Sequence, residues 1–448
     1  MNAYWKGIVL GLVVLSAPVM AQEKPAVWDL KSCINYARAH NIQIRQSRIA
    51  WEESLENTKQ AKADRLPSLS FTTAHNYVNR PRPEAGDKNS YSGSYNLNSS
   101  VSLFEGGKIR KNVQQMDLQN EVQGLTIKES ENNIELAITQ AFVQVLYADE
   151  AVKINEGTVE VSKAQRDRGK ALLEAGALSK ADLAQLEAQY ATDKYQLVVA
   201  RTTLANAQLE LKQLLELGVN DQMELAIPQL TDESVLVVLP SKESVYLTSL
   251  GIMPEVKYNQ LNIRVANLEK EKAWAGYLPD VTLSAGLGTS HASGIGTGFG
   301  TQTKHNWSEN IGLTLNIPIF NKRSTKTAVN LAKLNIENAQ LNYENVQKEL
   351  LKSVETVYQD AVSAQNRFRS ARENLTATEL SFELTQEQFF LKAKNTVELM
   401  TEKNNLLAAQ LELIQAKYGD PESAIVEFLS GYRDQYPMIE VCENQVIV

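Results

Sequence analysis

From Tyr91 to Phe104 apolar and polar side chains alternate. Tyr91, Gly93, Tyr95, Leu97, Val101 and Leu103 fall on one face, and Ser92, Ser94, Asn96, Asn98, Ser100 and Ser102 on the other. A second such stretch sets Trp307, Ile311, Leu313, Leu315, Ile317 and Ile319 against Ser308, Asn310, Gly312, Thr314 and Asn316. Leu69, Phe71, Thr73, His75 and Tyr77, and Val281, Leu283, Ala285 and Leu287, supply a partner strand for each. A period of two predicts two-faced strands, here in two hairpins. Elsewhere the period lengthens. Ile134, Ile138, Ala141, Val145, Ala148 and Val152 step by alternating fours and threes, as do Leu183, Leu186 and Tyr190 and then Leu197, Ala200, Leu204, Ala207 and Leu211. That spacing predicts long helices packed as coiled coils, and the Ala and Val on the seam permit close approach. The spans 84–227 and 319–420 hold no proline, so both can be helical.

The pattern occurs twice. At an offset of 212 residues Ile44 matches Val256, Ala61 matches Ala273, and Leu66-Pro67 matches Leu278-Pro279. Further on the offset is 216, and Ile134, Ile138, Ala141, Val145, Ala148 and Val152 map onto Leu350, Val354, Val357, Ala361, Ala364 and Phe368. One loop longer by the difference accounts for the change, so the chain reads as a duplication. The first repeat spans 22–242, with a helix at 29–65, a hairpin at 67–104, a long helix at 106–174, a return helix at 180–217 and a linker at 218–242. The second spans 243–419, with helices at 243–276, 322–390 and 396–418 and a hairpin at 279–319. At ~1.5 Å per residue the long helices reach ~100 Å, and the two shorter helices of each half, end to end, match that length. Residues 420–448 and the linker are expected as a belt around the middle.

The N-terminus reads as an address. Lys6, the apolar run Ile8–Leu15 and the small residues up to Ala21 have the form of a cleaved signal peptide over 1–21. The run is too short to span a bilayer, which takes ~20 residues. No Cys lies near the cut, so a lipoprotein is not expected. An exported chain whose strands match the ~9–11 residues of a tilted membrane strand points to a β-barrel. Tyr77, Tyr91 and Trp307 near strand ends suit an interface. Hairpins on a soluble core carry the same alternation, but small uncharged polar residues suit a water-filled lumen better than a charged surface. Four strands cannot close a barrel, and open edges are not tolerated in lipid. Several chains must then share one barrel, two giving eight strands or three giving twelve.

Composition narrows the chemistry. Asp and Glu number 53 against 45 Lys and Arg, a net charge of −8 that argues against a nucleic-acid partner. There are four His, none at metal-ligand spacing, and no G-x-S-x-G, H-E-x-x-H or P-loop motif, so no enzyme and no cofactor are expected. The run Gly294–Gly300 lacks the helix and lysine of a phosphate loop and is expected as part of a flexible external loop over Ala292–Lys304. Cys33 and Cys442, in an oxidising compartment, are either one disulfide or two unrelated thiols.

The order of elements resembles the TolC-type outer-membrane efflux family over almost all of 28–430. The echoes are Ala37 with Asn41-Ile42, Leu66-Pro67-Ser68-Leu69, Leu103-Phe104-Glu105-Gly106-Gly107, Pro254-Glu255, Leu278-Pro279-Asp280-Val281, Ile317-Pro318-Ile319-Phe320, and Ala175-Gly176-Ala177-Leu178-Ser179 with Asp182-Leu183. The resemblance implies an α+β membrane protein. It would be a homotrimer whose shared 12-stranded barrel, four strands per chain, sits in outer-membrane lipid and continues into a helical periplasmic barrel. It further implies a passive channel for efflux or type I secretion, fed by a periplasmic adaptor and an inner-membrane RND or ABC pump. Ala175, Gly176, Ala177, Lys392 and Ala393 would form adaptor-contacting tip turns. Phe389, Lys394, Glu398 and Thr401 would form a gate, with three copies of Glu398 as a negative ring and Lys394 pairing with Glu398 or with a neighbouring helix in the closed state. Lys392 stands where the family has glycine, and Thr401 where it has a second acid. The rival readings are a soluble periplasmic coiled-coil adaptor or structural protein, and an envelope enzyme.

Overall fold

The computed structural model describes residues 27–82, 88–221, 223–226 and 239–418. The expected signal segment 1–21, most of the linker, Cys442 and the segment 420–448 lie outside them.

The first helix opens at Asp29, whose carboxylate accepts from Ser32 N at 2.7 Å. The expected continuous helix 29–65 is in fact two, α1 (Leu30–His40) and α2 (Ile42–Ala63), broken at Asn41. Asn41 takes extended backbone, accepts from Gln43 N through its side chain, and so ends one helix and caps the next. The expected helix 243–276 breaks likewise into α5 (Lys242–Ile252) and α6 (Pro254–Trp274). Pro254 at the first position of α6 pushes Met253 into extended backbone (φ −59°, ψ 127°).

The long helices α3 (Lys108–Glu174) and α8 (Ser324–Phe390) have 67 residues each. Helix α2 runs antiparallel along the first part of α3, with Lys62 bridging Asp117 and Ser47 bonding Ser130, while α1 contributes Arg38 bonding Glu135. The return helix α4 (Lys180–Leu214) follows the second part, with Glu187 on Lys170 and Arg201 on Glu156. The two partners meet end to end, where Asn41 Nδ2 donates to the Leu214 carbonyl at 3.1 Å. Trp28 closes the junction, exchanging backbone hydrogen bonds with Glu224 and Ala226. The main core sits here: Trp28, Cys33, Ile44, Ile138, Phe142, Val145, Leu146, Leu211 and Leu215 are all almost wholly buried.

Helix α3 also packs against α6 and α9 (Thr396–Tyr418), and α8 lies beyond them. The helices form a palisade with α8 at one edge. The outer side of α8 exposes Leu331, Leu334, Leu341, Leu351, Leu380 and Leu384, an apolar stripe with no cover among the described residues.

The strands form one antiparallel sheet in the order β1 (Ser68–Asn79), β2 (Asn89–Glu105), β3 (Asp280–Ala292), β4 (Ser308–Asn316). A bulge in β2 makes Leu103 an extra residue and sets Phe104 opposite Val281. The second hairpin is shorter than the pattern predicts. Strand β4 stops at Asn316, since Pro318 has no N–H for the ladder, and this leaves Ile317 and Ile319 outside the sheet. The loop expected to be flexible instead carries a short helix, α7 (Phe299–His305). The buried Gln302 fixes it by bonding the N–H and C=O of Ala292 at 2.8 and 2.9 Å. No helix among the described residues is long and apolar enough to cross a membrane.

Candidate functional site

Residues opposite each other in an antiparallel register share a face, so the sheet's two surfaces follow from its pairing. One carries Leu69, Phe71 and Tyr77 of β1, Tyr91, Tyr95, Leu97 and Val101 of β2, Val281, Leu283, Ala285 and Leu287 of β3, and Ile311, Leu313 and Leu315 of β4. The other carries Ser68, Ser70, Thr72 and Asn76, then Ser94, Asn96, Asn98 and Ser100, then Thr282, Ser284, Gly286 and Gly288, then Ser308, Asn310, Gly312 and Thr314. Among the described residues neither is packed against another layer, except at the loop end, where α7 sets Phe299 against His291 of β3. Leu69 is 72% exposed, Phe71 65% and Ile311 83%. Glu309 is the one acid on the apolar face of β4, and its carboxylate accepts from Trp307 Nε1 at 3.0 Å. Strands β1 and β4 each have one edge with no partner among the described residues.

At the far end of the palisade lie the tip turns. After α3, Ala177 N bonds Leu172 O and Gly176 N bonds Leu173 O, with Gly176 left-handed at φ 70°. After α8 the same closure recurs: Ala393 N to Gln388 O and Lys392 N to Phe389 O, with Lys392 at φ 63°. Gly106 and Gly107, both left-handed before α3, likewise have Lys322 and Arg323 as left-handed counterparts before α8. A side chain at such a φ costs about 1 kcal/mol. Lys392→Gly is therefore expected to stabilise the tip by about 1 kcal/mol, read as a higher thermal midpoint of the purified protein.

The helices leaving these turns are capped alike. Ser179 Oγ accepts from Asp182 N and donates to the Asp182 carboxylate; Asn395 Oδ1 accepts from Glu398 N while Glu398 Oε2 accepts from Asn395 N at 3.0 Å. Glu398 also pairs with Lys394 at 2.6 Å. Lys394, then the Asn395 N–H, holds its carboxyl below the usual range. Glu398 is thus tied up in the expected pair with Lys394 and also in a local cap with Asn395, which the sequence pattern does not announce. Phe389 is buried and packs edge-on against Phe390, whose ring lies 3.5 Å from the Arg168 guanidinium carbon. Thr401 is exposed and bonds back to Val397 O.

Two contacts between the return helices were missed. Thr396 donates to Asp182 at 3.0 Å, and Lys403 of α9 pairs with Asp193 of α4, each only 3% exposed. Gln189 donates to the other Asp193 oxygen at 2.9 Å. Burial holds the Lys403 ammonium below its ordinary range, against the upward pull of Asp193. Both charges occupy seam positions, so the sequence signal was a gap: the stripe Leu186, Tyr190, Leu197 skips Asp193. Cys33 is a free, fully buried thiol pushed up to about 12 by desolvation.

The outer membrane efflux protein family model matches residues 33–216 and 249–420. The outer membrane efflux protein BepC of Brucella suis biovar 1 is 23% identical over 415 residues, 92% of this chain and 87% of that protein. The outer membrane protein TolC of Escherichia coli is 22% identical over 424 residues, 92% of this chain and 83% of TolC. Among solved structures, CusC superposes with a TM-score of 0.77 at 16% identity, covering 92% of this chain and 95% of that one, a likeness of fold.

Proposed function

The chain belongs to the outer membrane efflux protein family, and from that membership and the geometry of its sheet we propose that it is the outer-membrane channel of a tripartite efflux or type I secretion system. One observation carries the proposal: a four-stranded sheet with both faces bare and both edges open. An isolated sheet of this kind is unstable in water. Lipid on the apolar face, water on the Ser/Asn/Gly face and further copies at the β1 and β4 edges remove all three defects. Three copies give a 12-stranded barrel, and the apolar stripe on α8 would meet the next copy in a helical barrel below it. The duplicated halves, 22–242 and 243–419, would supply one hairpin each to the wall, two per chain.

The sheet leads one way and the tips the other, so cargo would enter at the turns and leave at the hairpins without chemistry on the way. The turns Ala175-Gly176-Ala177 and Lys392-Ala393 are the surfaces offered to a periplasmic adaptor and, through it, to an RND or ABC pump. The Asp182–Thr396 and Asp193–Lys403 contacts would brace the two return helices of each chain while the tip is narrow. Three copies of Glu398 would ring the entrance, each muted by Lys394.

Heat-modifiable migration of a trimer from the membrane fraction, followed by conductance in planar bilayers, tests this reading. A monomer that needs no detergent contradicts it. In the same bilayers Glu398→Gln is expected to lower cation selectivity and Lys394→Gln to raise it. Identical reversal potentials for all three proteins would remove the ring.

A further inference from the structure

Near the loop end of the sheet, the register sets Gly93 of β2 between His75 of β1 and His291 of β3 on the same face. Strands lie about 4.8 Å apart, so the two histidine backbones are separated by roughly twice that. Their rings nevertheless lean together to a centroid distance of 6.3 Å. Glycine permits this. A Cβ at position 93 would run into His291 Cε1 and lie 2.9 Å from the Nδ1 atoms of both histidines. The two Nδ1 atoms therefore face one point above Gly93.

Their partners differ. His75 Nε2 lies 3.0 Å from Thr73 Oγ1, and its Nδ1 lies 2.8 Å from the Tyr91 hydroxyl. With Nε2–H donating to Thr73, His75 Nδ1 carries the lone pair. His291 Nδ1 is shielded from water and has no hydrogen-bond partner, an arrangement that costs free energy in a folded protein. Its ring is held by stacking on Tyr95 and by the edge of Phe299, at centroid distances of 5.9 and 4.8 Å.

We propose that His75 and His291 form a binding site for a divalent first-row transition-metal ion, such as Zn2+, Ni2+ or Cu2+, held by their two Nδ1 atoms above Gly93. Imidazole nitrogen is a preferred donor for these ions at ~2.0–2.1 Å, and the two rings already stand 6.3 Å apart, centroid to centroid. No group of three or more His, Cys, Asp or Glu side chains gathers among the described residues, so the Tyr91 hydroxyl completes the coordination together with water, which reaches the site from the loop end of this apolar face, beside the exposed Tyr77. Thr73 fixes the His75 tautomer from behind, as second-shell partners do. A bound ion would tie β1 to β3 across β2. The site rests on the sheet register, not on the channel reading.

The test uses the full-length, detergent-solubilised protein and equilibrium dialysis against Zn2+. One ion per chain is expected in the wild type, and none at that affinity in His75→Phe/His291→Phe, which keeps two rings over Gly93 and removes the donors. Gly93→Ala, with both histidines present, should bind ~10-fold more weakly or worse. Loaded with one equivalent of Cu2+, the wild type should give an electron paramagnetic resonance spectrum split by two imidazole nitrogens. Full uptake by the double variant, no uptake by the wild type, or a copper spectrum without nitrogen splitting would each overturn the site.

Discussion

Lys403→Met, made alone, is expected to lower the unfolding free energy by about 3–5 kcal/mol, the usual result of leaving one buried charge unpaired. Asp193, 3% exposed in the native chain, would keep Gln189 as its side-chain donor among the described residues. The double variant Asp193→Leu/Lys403→Met should recover most of that loss or exceed it, because two apolar side chains of similar volume suit a coiled-coil seam. The urea midpoint of the helical signal in detergent reads both effects. Equal losses in the single and double variants would mean that the pair adds nothing beyond its packing. The single variant should also conduct more in bilayers, if the pair braces α4 against α9 when the tip is narrow.

The second large effect belongs to the sheet. Arginine at Ile311 or Leu313 should cost about 2–4 kcal/mol each in assembly into vesicles, the cost of a cation at the middle of a barrel's lipid face. Asn310→Arg and Thr314→Arg, one residue away on the other face, should cost little, because their side chains would enter water. The folded fraction, read from unheated gel migration, separates the two rows.

The regular periods were legible in the sequence to different depths. The seam of Ile134 to Val152 and the alternation of Tyr91 to Val101 follow from one burial rule applied along one element, and both appear where the pattern puts them. The break at Asn41 was harder. Its capping side chain is visible in the sequence, but the reason to stop there is the carbonyl of Leu214, distant along the chain. Pro254 and Pro318 were readable as punctuation, yet their effects on the second short helix and on β4 were underestimated. The loop after β3 looked flexible because its glycines dominate the composition; one glutamine fixes it through three backbone contacts. At the tip, the family resemblance pointed to Glu398 and its partner Lys394 but not to the cap with Asn395, since cap and ring use the same residue type. Asp193 and Lys403 show the limit most plainly: each is an ordinary charge in sequence, and only the packing of α4 on α9 makes them a pair.

The central claim is that alternate side chains of one sheet meet hydrocarbon and water. Single cysteines at 311, 313 and 315 and at 310, 312 and 314, in a Cys442→Ser background that leaves only the buried Cys33, would carry a small fluorophore in reconstituted vesicles. Brominated lipid tails should quench the odd-numbered labels and spare the even-numbered ones, while a water-soluble quencher does the reverse. Equal quenching of both rows by the aqueous reagent would contradict the account.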